Sequence, residues 1–368
     1  MVLAKQIIET MEQWAPPHYA ESWDNVGLMV GSKQRDVSKI VTTLDITPEV
    51  IEYAIAEQAQ MIISHHPFIF KGLKSLHLDS PQGKLIEKLI KNDIVVYSAH
   101  TNLDITTGGL NDMLANRLGL TNVRGFVPTG SDMVYKITTF VPTDAADAVR
   151  EAMASAGAGR IGNYESCSFS FTGEGWFRGN DESHPVIGEA GTLTVVPEVA
   201  VNVIVDGAHK QAVINAVKEA HPYEEVAYEV FTLHEPNVGR TLGRIGELPE
   251  TMDFESFREH LQESLPHSNL RFGGIKKDSI RTVALCSGGG AEFIKNAVKA
   301  DAYVTGDVKY HDAQLAKELG LLVVDAGHFG TEEIVADGIR DYLRDQSDKG
   351  GWDITVQSFE NQADFFFE

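Results

Sequence analysis

Three short segments carry the side chains best suited to chemistry. Ser64-His65-His66-Pro67 sets two imidazoles side by side, directly after an apolar run. His100-Thr-Asn-Leu-Asp104 and His328-Phe-Gly-Thr-Glu332 each place an imidazole four residues before a carboxylate, again after an apolar run. Adjacent side chains on extended backbone diverge, so His65 and His66 suit two neighbouring ions better than one. The four-residue spacing brings ring and carboxylate together if the segment turns helical. Imidazole and carboxylate without thiolate suit Zn²⁺, Mn²⁺, Fe²⁺, Co²⁺ or Ni²⁺. His65, His66, Asp104, His328 and Glu332 exceed the ligands that a single catalytic zinc takes from a protein. Shared between two divalent ions, they leave positions for water, the arrangement of a two-metal hydrolytic site. Each segment alone has a plainer meaning. The histidine pair could be satisfied in a turn, and Thr331-Glu332-Glu333 could simply favour a helix N-terminus.

Other residues have two readings each. His100 is either a third imidazole beside the ions, orienting a ligand or shuttling a proton, or a structural histidine. Trp23-Asp24-Asn25 either shapes a cavity wall or makes a turn. Near Asp307 and Tyr310, Lys309 or His311 either holds a phosphate or sits in a solvated loop. Gly288-Gly289-Gly290 either cradles an anion at a helix N-terminus or makes a bare turn. His221, Glu224 and Glu225 are expected to serve packing or solvation. Cys167 and Cys286 are two ordinary thiols with no disulfide or zinc spacing, which fits a reducing compartment.

The elements that must position these residues are of α/β type. A helix over 2–13 ends at Pro16-Pro17. Strands at 39–44, 61–64 and 94–98 alternate with helices at 47–58 and 83–92, Thr47 capping the first with Pro48 behind it. The far end repeats the plan: strands at 282–286, 302–305 and 321–325, helices at 291–299 and 313–319. Strands separated by single helices imply parallel βαβ units. In the register that sets His100 against His328, Asp104 falls against Glu332, a weak internal repeat. Between these ends the order differs: strand 135–141, helix 145–157, strands 166–177, 191–198 and 200–206, helix 209–220, strand 225–233. That pattern predicts a ferredoxin-like α+β module inserted into a loop of a discontinuous outer domain. Gly- and Pro-bearing stretches flank it at 125–132 and 234–248. The expected division is 1–131 and 235–368 for the core, and 132–234 for the insert.

Composition excludes several classes. Lys and Arg total 31 against 53 Asp and Glu, a formal charge of −22. That argues against nucleic acid or anionic lipid as partner, because such binding needs clustered cations. The N-terminal residues lack the apolar region of a signal peptide, and no stretch has the ~20 apolar residues of a membrane span. A cytoplasmic location is the default expectation.

AESWDNVGLMVG (20–31), SHHPFIF (64–70), AHTNLD (99–104), TGDVKYHDA (305–313) and DAGHFGTE (325–332) together resemble the NIF3 family. The resemblance covers about 1–130 and 236–368. It implies a metal site of His65, His66, Asp104, His328 and Glu332, with Glu332 as bridge and zinc as the leading metal. It also implies a toroidal homohexamer with the sites facing an internal cavity. The middle segment, with HPYEEVAYEV at 221–230, resembles PII-like and CutA-like inserts of longer bacterial members. Those members are labelled GTP cyclohydrolase 1 type 2 homologs. The expected function is therefore metal-dependent hydrolysis of a nucleotide or related heterocycle, with His100 as proton shuttle. The alternative is a non-enzymatic metal-binding or regulatory protein whose insert senses a small molecule.

Overall fold

The structure is a computed structural model describing residues 1–162 and 164–366, with backbone alone at 132 and 235–238. The chain forms two compact units, one of residues 1–129 with 240–368, the other of 130–239.

The first unit begins with β1 (Val2–Leu3), α1 (Ala4–Trp14), β2 (Gly27–Val30), β3 (Asp36–Val37) and β4 (Lys39–Thr43). Then follow α2 (Pro48–Ala56), β5 (Met61–Ser64), α3 (Pro81–Lys91), β6 (Val95–Ser98), α4 (Thr101–Ile105) and α5 (Leu110–Arg117). Thr47 caps α2 by accepting from the Val50 amide, and Ser80 caps α3 from Gly83. In both, proline occupies the first turn, where a missing N–H costs nothing. The long strand β7 (Thr121–Pro142) leads into the second unit, which holds α6 (Ala146–Ser155), β8 (Ser168–Phe177), β9 (Thr194–Asp206) and α7 (Lys210–Ala220). The equally long β10 (Tyr228–Met252) leads back. The chain closes with α8 (Phe254–Ser264), β11 (Arg271–Gly274), β12 (Ile280–Leu285), β13 (Ala302–Thr305), α9 (Tyr310–Glu318), β14 (Leu322–Asp325), α10 (His328–Glu332), α11 (Val335–Gly350) and β15 (Thr355–Ser358).

Two sheets organise the first unit. One has the order β15-β4-β5-β6-β2, parallel except for the antiparallel edge β2. The other runs β11-β14-β13-β12-β10, with β12, β13 and β14 parallel and both flanking strands antiparallel. Both faces of the first sheet are covered, which explains its uninterrupted apolar strands. Ile40, Met61, Ile63, Val95 and Tyr97 join α1 and α11 in one core; Val41, Ile62 and Val96 join α2 and α3 in another. The second sheet divides likewise: Val283, Leu285 and Val304 pack with α5 and α8, while Ala284, Tyr303 and Val323 face the other way. With both faces apolar, polar side chains emerge where the strands end. In the second unit β7, β9 and β8 pair antiparallel, and Val149, Met153, Val213 and Val217 of α6 and α7 cover Val201 and Val203.

Some sequence expectations need correction. The flanks 125–132 and 234–248 lie inside β7 and β10, not in linkers. Residues 244–247 pair with β12, and ladder bonds of this kind outweigh the local turn preference of glycine. The expected strands 191–198 and 200–206 are one strand, β9, which begins only at Thr194 and runs on through Pro197. That proline is tolerated because β7 pairs only from Glu198 onward, leaving Pro197 with β8 as its one neighbour. The helix expected at 291–299 is 3-10, its ends bonded at three-residue spacing from Phe293 N to Gly290 O and from Ala300 N to Ala297 O. Strands β2, β11 and β15 had no counterpart in the sequence reading. Among the described residues no helix is long and apolar enough to cross a membrane.

Candidate metal centre

All six residues singled out by spacing converge at the carboxyl ends of the parallel strands, where open α/β sheets place their ligands. His65 and His66 continue β5, their amides bonding to the carbonyls of Thr43 and Leu44. His100 follows β6 and precedes α4, which carries Asp104. His328 opens α10 after β14, and Glu332 closes it. Both helices span five residues, so each His-x-x-x-acid segment does turn helical.

Glu332 lies at the centre. It is 3% exposed and meets three imidazoles: His66 Nε2 at 2.9 Å and His328 Nε2 at 3.1 Å on Oε2, and His65 Nε2 at 3.9 Å from Oε1. Asp104 Oδ1 lies 3.6 Å from His65 Nε2 and accepts from the Ser287 hydroxyl at 3.3 Å. Gly288 explains how the backbone comes so close. Its φ is +58°, and any side chain there would run into the Glu332 carboxylate. Its amide donates to Thr331 Oγ1. Gly288 therefore makes room for Glu332, while Gly289 has Asp307 and Gly290 has Thr305 as nearest neighbour.

Three further aspartates hold the rings from behind. Asp45 bonds His66 Nδ1, Asp24 bonds His100 Nδ1 and Asp307 bonds His328 Nδ1, at 2.8, 2.8 and 2.9 Å. Such outer carboxylates fix ring orientation and raise ligand basicity. His65 differs: its Nδ1 donates to the Ala99 carbonyl at 2.8 Å, which leaves Nε2 as the unprotonated nitrogen. The His100 ring stands 5.2 Å from that of His65 and 5.5 Å from that of His66.

The electrostatics separate these groups. Burial pushes the His65 ring down to about 3, so it is neutral. Burial would lower His66 too, but hydrogen bonds to Asp45 and Glu332 outweigh it and raise the ring to about 10. The bond to Glu332 raises His328 to about 9 despite burial. Burial, then the charge of Glu332, pushes Asp104 up to about 7. Burial opposes ionisation of Glu332, yet bonds from His328 and His66 hold it well below the carboxylate range. Asp24, also opposed by burial, is held at about 2 by His100 and Thr101.

His65, Asp104 and Glu332 form one group able to hold a cation, and His66, His328 and Glu332 a second; His65, His66 and His100 form a third. A test of fit lies in His65 Nε2, which is buried and, among the described residues, has no hydrogen-bond partner. A buried polar atom left so costs about 1–3 kcal/mol. An imidazole lone pair aimed at two carboxylates is what a divalent cation satisfies, so these residues fit such an ion. A cavity of about 1090 Å³ opens over the second group, lined by Asp45, His66, Asp307, Lys309, His328 and Phe329. Lys309 thus borders the site, while Tyr310 is 80% exposed and His311 is also exposed.

Sequence reasoning missed the roles of Asp45 and Asp307, although each directly follows or nearly follows a parallel strand. Asp24 comes from a loop, and nothing local marked it as the partner of His100. In the Trp23-Asp24-Asn25 segment Asp24 holds His100, and the Trp23 ring lies 6.1 Å from the His100 ring.

Fold and cluster together define a mixed α/β protein with a buried histidine–carboxylate centre competent for metal. The family model of Duf34/NIF3 (NGG1p interacting factor 3) matches residues 2–364, and the chain belongs to this family. A Bacillus subtilis protein described as GTP cyclohydrolase 1 type 2 homolog is 40% identical over 340 residues, 92% of this chain and 91% of its own length. The crystal structure of a Bacillus cereus protein related to NIF3 matches with a TM-score of 0.92 at 40% identity, covering 100% of this chain and 99% of that one. The Staphylococcus aureus protein SA1388 matches with a TM-score of 0.77 at 31% identity, covering 100% and 99%.

Proposed function

We propose that the cluster holds two divalent ions, with zinc first and manganese, iron, cobalt or nickel as alternatives, and that the protein is a metal-dependent hydrolase of a nucleotide or related heterocycle. The observation that carries this reading is the orphaned His65 Nε2, buried against Asp104 and Glu332. In this reading His65, Asp104 and Glu332 hold one ion, His66, His328 and Glu332 hold the other, and Glu332 bridges. Divalent ions in such a setting supply Lewis-acid activation of water and stabilise charge on the leaving group. The chain supplies the rest. His100, anchored by Asp24 through Nδ1, holds or passes a proton at Nε2. Lys309 offers a cation at the cavity wall, and Phe329 an apolar surface. The name carried by the relatives makes GTP the first substrate to test. A homohexamer belongs to this proposal on the strength of the family resemblance, a cytoplasmic location as the default expectation from the sequence, and a ferredoxin-like insert from the order of its strands and helices.

A second reading, a metal-binding or regulatory protein without turnover, is favoured by the depth of the site: His65 is 0% and Asp104 7% exposed. Metal-loaded protein assayed against GTP, other nucleotides and phosphoesters separates the two. Turnover abolished by Glu332→Gln supports the hydrolase. Full metal content with no turnover on any of them supports the binding protein.

A further inference from the structure

We propose a second ligand site, lying wholly within residues 130–239: a pocket for a compact organic cation with an aromatic body. A cavity of about 330 Å³ lies there, at the small end of ligand pockets. Phe140, Trp176, Phe177 and Tyr223 line it. The same lining has Glu198, Glu224 and Glu225 against one guanidinium, Arg178. Among the described residues none of these three carboxylates is ion-paired. Aromatic faces attract cations through their quadrupole, and unpaired carboxylates add full charge to the same preference.

The wall is built, not incidental. Buried His221 donates from Nε2 to the Phe140 carbonyl at 2.9 Å and accepts the Tyr223 amide on Nδ1 at 3.1 Å. Tyr223, set in this way, donates its hydroxyl to Glu198 Oε1 at 2.9 Å. The Glu198 carboxylate lies over Gly175, where any side chain would run into it. The Tyr223 ring stands 5.8 Å from that of Phe177. Glu224 accepts the His184 amide at 2.9 Å, tying the segment after β8 to the one after α7. His221 and Tyr223 thus position one aromatic ring and one carboxylate at the cavity. Trp176, 61% exposed, adds an indole that a ligand would cover. No residue of this lining belongs to the metal cluster.

The test uses the full-length protein and three probes with the same aromatic body: phenethylammonium, phenylpropanol and phenylpropanoate, titrated by calorimetry or NMR. The ammonium should bind saturably, about tenfold more tightly than the alcohol, and the carboxylate should not bind. Glu198→Gln keeps the shape and removes the charge. It should weaken the ammonium at least about fivefold and leave the alcohol unchanged. Trp176→Ala, at an exposed position, should weaken both. Circular dichroism and metal content matching the unsubstituted protein establish that the variants are folded. Equal affinity for all three probes overturns the proposal. So does the absence of saturable ammonium binding, or a Glu198→Gln protein that binds the ammonium as before.

Discussion

His66 and Glu332, 266 positions apart in the chain, meet through a 2.9 Å contact between Nε2 and Oε2. One comes from the end of β5 and the other from the end of α10, the helix that follows β14, so segments leaving a strand of each sheet contribute to one carboxylate-centred cluster. The same Glu332 oxygen bonds His328, and its other oxygen faces His65.

From that position Glu332→Gln should remove both ions together. Metal analysis after reconstitution with Zn²⁺ should fall from about two ions per chain to below about half an ion. His65→Ala and His66→Ala should each lose mainly one. A Glu332→Gln protein that retains both ions would show that the glutamate does not bridge.

The outer aspartates should tune affinity without being ligands. Asp45→Asn and Asp307→Asn should each weaken metal binding by about 10–100-fold, since each replaces the carboxylate that orients a ring and raises its basicity with a neutral amide. Asp24→Asn should leave metal content unchanged, because its partner His100 is not assigned as a ligand. Competition with a chelator of known affinity measures all three. Equal losses in the three variants would mean that His100 is itself a ligand.

In metal-free protein Asp104 is a destabilising charge. Its folded pKa is about 7, above the unfolded value, so the folded state binds the extra proton and stability declines as pH rises between the two. Asp104→Asn should therefore stabilise the metal-free chain, and by about 1–3 kcal/mol more at pH 8 than at pH 5. His65 acts at the other end of the scale. With its folded pKa lowered to about 3, unfolding takes up a proton below about 6.5, so stability falls as the pH drops. Urea denaturation in the presence of chelator gives both trends. A pH-independent difference between Asp104→Asn and the unsubstituted chain would contradict the burial argument.

Excising residues 130–239 and joining the ends with a short Gly/Ser linker should leave a folded, metal-binding unit. Every proposed ligand lies outside that segment, and its apolar core shares no residue with the four cores of the remainder. Circular dichroism and metal analysis check this. A soluble, helical deletion protein without metal would show that the excised unit shapes the cluster.

Much of the site was legible because its signals are local. An apolar run that ends in His65-His66, or in Asp325-Ala-Gly-His328, reads as a buried strand delivering polar groups at its end, and four-residue spacing anticipates α4 and α10. What only the tertiary structure decided is which groups face each other: Asp24 behind His100, Asp45 behind His66, Glu332 between three rings, and Gly288 giving way to its carboxylate. Apart from His328 and Glu332, four positions apart, these pairings join residues tens to hundreds of positions apart and leave no periodicity in the chain. The strand character of 125–132 and 234–248, and the passage of β9 through Pro197, were likewise set by ladder partners. Local propensity is a preference of about 1 kcal/mol per residue, and pairing along a whole strand exceeds it.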